Sequence, residues 1–80
     1  MLTQYITVAL ERAHYEWLVD SNVYYGEIPE LPGVWATGET LERCQAELQE
    51  VLEDWIVIGL ARNDHIPVIA GIDVNVESVR

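Results

Sequence analysis

The residues that could carry chemistry are few, and their spacing does not predict a catalytic centre. His14 and His65 lie far apart in the sequence, and neither has a second ligand at a helical or hairpin spacing. A zinc site needs three or four ligands, and the single cysteine, Cys44, does not complete one. Ser21 and Ser78 have no base beside them that would activate a nucleophile. We therefore expect no catalytic residue, no metal and no cofactor.

The charge of the chain limits the partners it can have. Fourteen acidic residues stand against four arginines and no lysine, which gives a net charge of −10. Because binding to a phosphate backbone requires clustered cations, direct nucleic-acid binding is not expected. An acidic surface attracts a basic protein and speeds the encounter with it. The sequence therefore predicts a positively charged protein as partner.

Aromatic and acidic residues in one short segment are the candidates for contact with that partner. Adjacent residues of a strand point to opposite faces, so of Tyr24 and Tyr25 one is expected in the core and the other outward. The simpler interpretation is that the outward ring only covers its cross-strand neighbour. The alternative is an interface anchor, because Tyr and Trp are enriched in binding hot spots. The candidates are Tyr24, Tyr25, Glu27, Glu30 and Trp35.

The elements that position these residues are predicted by spacing and by turn residues. Apolar residues at intervals near 3.6 predict a short helix over Thr3–Arg12. Alternation from His14 predicts a strand that ends in the turn Asp20–Asn22. Two further strands, joined by a turn that contains two prolines and a glycine, complete an antiparallel meander: Val23–Ile28 and Val34–Thr37.

A long helix is predicted from Leu41, with Thr40 as its N-cap and Asn63 and Asp64 at its end. Its apolar stripe is expected to face the sheet. The stripe consists of Leu41, Cys44, Leu48, Val51, Trp55 and Ile58. The additional apolar residues that could meet a second subunit are Leu52, Ile56, Val57 and Leu60.

The remaining expectations concern the core and the end of the chain. Trp17 and Trp55 are expected in the core, and Cys44 as a small buried hydrophobe. Alternation after Gly71, through Ile72, Val74 and Val76, predicts a short final strand. The predicted fold class is α+β: a short N-terminal helix, a three-stranded antiparallel meander, a long helix packed on the sheet and a short final strand, in one domain over residues 1–80.

Size and hydropathy suggest where and how the chain works. A 9.1 kDa domain buries only about 60% of the surface that its unfolded chain exposes. Self-association into a dimer or tetramer is therefore expected. No segment approaches the roughly 20 apolar residues of a membrane span, and the N-terminus does not read as a secretory signal. A soluble, cytoplasmic protein is the expectation.

The segment from Tyr24 to Cys44 reads YYGEIPELPGVWATGETLERC. It combines a strand of the type YYGEIP, the turn ELPG, and a second strand followed by glycine. Thr-Leu-Glu then opens a long helix that ends in Trp55. With these motifs, residues 13–67 resemble the HicB-like antitoxin family, a group of small acidic proteins.

The resemblance implies a partial RNase H-like fold, in which a meander is packed by a long helix. It also implies a function, since family members usually neutralise HicA, a small basic toxin that cleaves messenger RNA. Two features differ from the common pattern. A C-terminal DNA-binding segment is not evident, so operator binding is not expected, and a helix precedes the first strand.

Two other functions stay open at this stage. The chain could be an orphan structural dimer that keeps the scaffold without a toxin. It could also be a degenerate nuclease, because true RNases H hold two Mg²⁺ ions with clustered carboxylates. The central strands offer only Glu16 and Glu27 for that role, a pair more typical of a solvated sheet face.

Overall fold

A computed structural model describes residues 2–74 of the chain. Its elements confirm the predicted α+β order of a short helix, a three-stranded antiparallel sheet and a long helix. They are α1 (Leu2–Glu11), β1 (His14–Leu18), β2 (Val23–Glu27), β3 (Trp35–Gly38) and α2 (Leu41–Ala61). Neither helix in this part of the chain offers a stretch long and apolar enough to cross a lipid bilayer.

The sheet is a meander with the order β1-β2-β3, and its register separates two faces. Tyr15 pairs with Gly26, which pairs with Ala36 on β3. Gly26 and Ala36 are buried, so this row of residues faces the helices. The alternate rows point to the opposite side of the sheet. Helix α2 therefore covers one face, with α1 packed against it, and the other face remains open in the described chain.

Helix α2 packs on the sheet along a stripe that differs from the predicted one. The prediction that both ends of the stripe face the sheet is wrong, because Leu41 and Ile58 are exposed. Val51 and Trp55, within the stripe, are half-buried. The prediction for Cys44 is confirmed, because it is fully buried. The helix residues that are buried are Cys44, Leu48, Leu52, Ile56 and Gly59.

The core extends from α2 to three other parts of the chain. Tyr5 of α1 is fully buried, and its hydroxyl donates to the carbonyl oxygen of Pro67 at 2.6 Å. This bond joins α1 to the segment that follows α2. The β2–β3 turn adds apolar side chains as well. The buried apolar side chains outside the two helices are Ile28, Leu31, Val34, Ala36, Ile66 and Ile69.

Trp17 was expected in the core, and this prediction is wrong. Its side chain is 44% exposed and meets Tyr24 edge to face, with ring centroids 4.9 Å apart. Both residues belong to the helix-facing rows of the sheet, as the pairing of Trp17 with Tyr24 and of Tyr24 with Gly38 shows. Helix α2 packs mainly over β3 and less over β2, so Trp17 on the outermost strand β1 is left partly uncovered.

The ends of α2 agree with the prediction. The Thr40 hydroxyl accepts from the backbone N–H of Arg43 at 3.1 Å, an N-cap bond that stabilises a helix by about 1 kcal/mol. At the other end, Asn63 adopts a positive φ of 60°. The N–H of Asp64 then donates to the carbonyl oxygen of Gly59 at 2.8 Å. Such a left-handed residue is a common way to end a helix.

The segment after α2 forms a tight turn. Ile69 and Ile72 form an isolated antiparallel bridge around Ala70 and Gly71, whose φ values of 51° and 79° are left-handed. Of the predicted final strand, Ile72 is the one residue among residues 72–74 that pairs, and it does so through this isolated bridge. Val76, the last residue of that prediction, lies outside the described residues.

Gly38 allows α2 to start directly beside β3. A Cβ atom added to Gly38 would lie 2.8 Å from the Cα atom of Cys44 and 2.9 Å from the carbonyl carbon of Arg43. A Cβ on Gly26 would instead meet the edge of the Tyr15 ring, at 2.6 Å. A ring can rotate away, whereas the backbone of a helix cannot move without displacing its packing.

We therefore expect Gly38→Ala to lower the free energy of unfolding by about 3 kcal/mol, and Gly26→Ala by less, about 1–2 kcal/mol. Chemical denaturation followed by circular dichroism measures both values. The two substitutions add the same methyl group, so their difference reports the close approach of helix and strand. Equal losses, or a larger loss for Gly26→Ala, would contradict this account of the α2 start.

Candidate protein-binding surface

The open side of the sheet presents aromatic and acidic side chains together. On this side Glu16 pairs with Tyr25, which pairs with Thr37. The neighbouring row contains Glu27 opposite Trp35. We call the surface formed by Glu16, Tyr25, Glu27, Trp35 and Thr37 the outer face.

A stacked ring pair lies at the centre of the outer face. The rings of Tyr25 and Trp35 have centroids 6.0 Å apart and an interplanar angle of 29°. Tyr25 is half-buried, and Trp35 is 53% exposed. The Tyr25 hydroxyl donates to Oε1 of Glu27 at 3.1 Å. The rings, held by stacking and by this bond, form a preorganised apolar platform with a carboxylate at its rim.

Partial desolvation and the negative charges of the outer face change the pKa of Tyr25. The pKa of Tyr25 is raised above the ordinary tyrosine value by partial desolvation, by the hydrogen bond to Glu27, and by the negative charges of Glu27 and Glu16. All three effects penalise a further negative charge at this point. A cationic group that approached the same point would be attracted.

The structure divides the five candidate residues among three places. Tyr25, Glu27 and Trp35 meet on the outer face, as described above. Tyr24 points to the helix-facing side, where it is half-buried against Trp17. The expectation that one of the two adjacent tyrosines points outward is confirmed for Tyr25. The other does not belong to the buried core.

Glu30 is the fifth candidate, and it lies in the β2–β3 turn. Its Oε2 atom is 2.9 Å from Nη1 of Arg12. The hydrogen bond from Arg12, together with a backbone hydrogen bond and the charges of Arg12 and His14, holds the pKa of Glu30 below its ordinary value. The charge of Glu30 is thus already compensated by Arg12, which directly follows α1, and the sequence did not indicate this pairing.

Two residues of the outer face were missed as partner candidates. Glu16 and Thr37 flank Tyr25 on either side, in the row described above. Their place follows from the register of the two hairpins. The alternation of β1 and the short β1–β2 loop after Leu18 were the signals that could have fixed that register.

The arrangement offers recognition through charge, ring surface and hydrogen-bond acceptors. Among residues 2–74, no three His, Cys, Asp or Glu side chains lie close enough to hold a metal ion. The Cys44 thiol is buried and donates to the carbonyl oxygen of Ala36 at 3.6 Å. Burial raises the pKa of this thiol, which lowers its reactivity as a nucleophile.

Neutralising Glu27 tests the electrostatics of the outer face. We expect Glu27→Gln to lower the pKa of Tyr25, because the charged acceptor of its hydroxyl is lost. Because the folded-state pKa is raised, the stabilisation that Tyr25 provides is fully present below its unfolded pKa of about 10 and is lost as pH rises through the folded value. NMR titration of the tyrosine ring measures the shift.

Glu42→Gln is the matched control, since it removes one carboxylate from the first turn of α2. It is expected to leave the titration of Tyr25 almost unchanged. A Tyr25 pKa that is the same in Glu27→Gln and in the unchanged protein would contradict the hydrogen bond between the two residues.

Comparisons with known proteins identify a family and a structural relative. A family model described as UPF0150-like matches residues 4–67. The fold is similar to the crystal structure of TTHA0281 from Thermus thermophilus, with a TM-score of 0.86 and 48% sequence identity over 91% of this chain and 96% of that chain. A search of curated proteins finds no match. The match to most of its length places the chain in the UPF0150-like family.

Proposed function

We propose that this chain is a cytoplasmic antitoxin of the HicB-like type, which binds and neutralises a small basic toxin that cleaves messenger RNA. Three observations support the proposal. The motifs between Tyr24 and Cys44 resemble that family, the chain carries a charge of −10, and the outer face joins a ring platform to carboxylates. The outer face carries the proposal, because it can cover a cationic RNA-binding surface and exclude RNA phosphates from it.

The distribution of charge favours a basic partner over a second acidic one. In the described chain, three arginines lie within 4 Å of a carboxylate, and the pairs are Arg12–Glu30, Arg43–Glu39 and Arg62–Asp64. These pairs compensate only a few of the acidic residues. Glu16 and Glu27 of the outer face are outside these pairs, so their charges are available to attract a cationic surface.

Trp35 is the residue that tests the outer face most directly. We expect Trp35→Ala to weaken binding to the toxin about 30-fold, because a truncated aromatic hot spot costs about 2 kcal/mol. The partner to use is the product of a small basic reading frame next to the gene, co-expressed with the tagged chain. Affinity is then measured by calorimetry on the purified complex, and neutralisation by growth after toxin induction.

Trp17→Ala is the matched control, because Trp17 is similarly exposed but lies in a helix-facing row of the sheet. It is expected to change the affinity by less than about twofold. Equal losses in the two variants would contradict a role for the outer face. An adjacent basic protein that neither binds nor is neutralised, or the absence of such a reading frame, would favour the orphan structural dimer instead.

Self-association is a second part of the proposal, and the C-terminal half of α2 is its most suitable surface. Val57 and Ile58 are 62% and 53% exposed. The helix sequence from Trp55 to Ala61 contains no charged residue, in contrast to the acidic first half. Two copies of a strongly acidic chain can approach there with the least repulsion. Leu52 and Ile56, which were expected to contribute, are part of the core instead.

Replacing one of these side chains tests the proposed contact. We expect Val57→Glu to shift the chain to a monomer in sedimentation equilibrium, because a carboxylate would be buried without a partner. Val19→Glu is the control, since Val19 is also exposed but lies in the β1–β2 loop. An unchanged assembly in Val57→Glu, or a monomeric parent chain at all concentrations, would contradict this part of the proposal.

A further inference from the structure

Strand β3 has an open edge whose backbone groups can be assigned. The N–H of Ile28 donates to the carbonyl oxygen of Val34 at 3.2 Å. In an antiparallel ladder, alternate residues point their N–H and C=O groups to the same neighbour. Ala36 and Gly38 therefore point these groups toward β2. Trp35 and Thr37 point theirs away from β2, where the described chain places no other strand.

A cleft runs beside this edge, between β3 and α2. Its first part is lined by Trp35, Thr37, Glu47 and Val51, among others. The second part shares Thr37 and Glu47 with the first and continues past Glu39, Arg43 and Glu50. The cleft thus combines a strand edge with hydrogen-bonding capacity, an apolar wall and three carboxylates against one arginine, which is itself near Glu39.

We propose that the β3 edge binds an extended basic segment of a partner protein by strand addition. The backbone of that segment pairs with the N–H and C=O groups of Trp35 and Thr37. Its side chains alternate between the two faces of the extended sheet. Those opposite Ala36 point toward α2 and meet Glu47 and Glu50, so cationic residues fit there. The alternate side chains lie beside the Trp35 ring, where apolar residues fit.

A second copy of the chain fits this edge less well. Pairing of β3 with β3 of another copy would bring Glu47 and Glu50 of both copies into one cleft, and like charges repel.

The cleft beside the edge of β1 is less acidic than the cleft beside β3. It contains a single carboxylate, and its lining residues are Leu10, Glu11, Tyr15, Gln45, Ala46 and Gln49. The acidic lining therefore selects the β3 edge for a basic segment.

This site uses the edge of the sheet, whereas the toxin contact proposed above uses its outer face, and the two surfaces share Trp35 and Thr37. A probe without any toxin can therefore test it. The probe is a synthetic peptide of alternating arginine and valine with blocked ends. Titration of the ¹⁵N-labelled chain, followed by NMR, is expected to shift the amide signals of Trp35 and Thr37 and to give a dissociation constant.

Two variants test the two parts of the recognition. Thr37→Pro removes an edge N–H without removing a bond to β2, and proline is tolerated at such edge positions. It is expected to raise the dissociation constant of the peptide about tenfold. Glu47→Gln combined with Glu50→Gln is expected to raise the dissociation constant several-fold and to make binding less dependent on salt. The pair Glu42→Gln and Asp54→Asn removes the same charge from α2 outside the cleft and is expected to have little effect.

A modified peptide covers the case in which Thr37→Pro does not fold. Methylation of the valine backbone nitrogens removes the same hydrogen bonds from the ligand and is expected to abolish binding to the unchanged chain. The proposal is overturned if the peptide does not bind at millimolar concentration, or if a peptide with glutamate in place of each arginine binds equally well. A second copy that occupies the edge would also overturn the proposal. In that case Thr37→Pro would convert a dimer into a monomer, and this monomer would not bind the peptide.

Discussion

The close approach of α2 to β3 at Gly38 determines which parts of the molecule are buried. The helix begins at Leu41, almost directly after the strand, and its backbone at Cys44 occupies the space that a side chain on Gly38 would need. The thiol of Cys44 then reaches the carbonyl oxygen of Ala36. Because Gly26 also lacks a side chain, the Tyr15 ring and Cys44 can share the space above β2. The helix is thereby held against one face of the sheet.

The composition of the outer face follows from this constraint. The described chain has one long helix, which packs on one side of the sheet, and one short helix, which packs against the long one. The residues on the other side must therefore be stable in water, and carboxylates and threonine serve that purpose. The stacked pair of Tyr25 and Trp35 is the exception, since it exposes a large apolar ring among them. Such a ring is more consistent with a contact surface than with a solvated face.

The sequence allowed the elements to be predicted, and the faces less well. Periodicity, the N-cap at Thr40 and the prolines of the β2–β3 turn are local signals, and the elements they indicate are present. The buried side of α2 depends on what packs on it. A simple 3–4 repeat assumes one covering surface, but α1 and the segment around Ile66 also cover the helix. Leu48, Leu52 and Ile56 are therefore buried at intervals of four residues.

Non-local contacts explain the remaining differences. Glu30 was a candidate for partner contact, but it pairs with Arg12, which is distant in sequence. Trp17 was expected in the core, but α2 packs over β3 and β2 and leaves Trp17 on β1 partly open. Both cases depend on where one element lies relative to another, which neither composition nor alternation encodes.

Trp35 belongs to both proposed surfaces and can couple them. Its ring lies on the outer face, and its backbone N–H and C=O point to the open edge of β3. A partner with a basic folded surface next to a basic extended segment would engage both sites in one encounter. The second contact would then form at a high effective concentration and prolong the complex. Two separate partners would instead compete at Trp35, so the two proposals together predict a single protein that uses both surfaces.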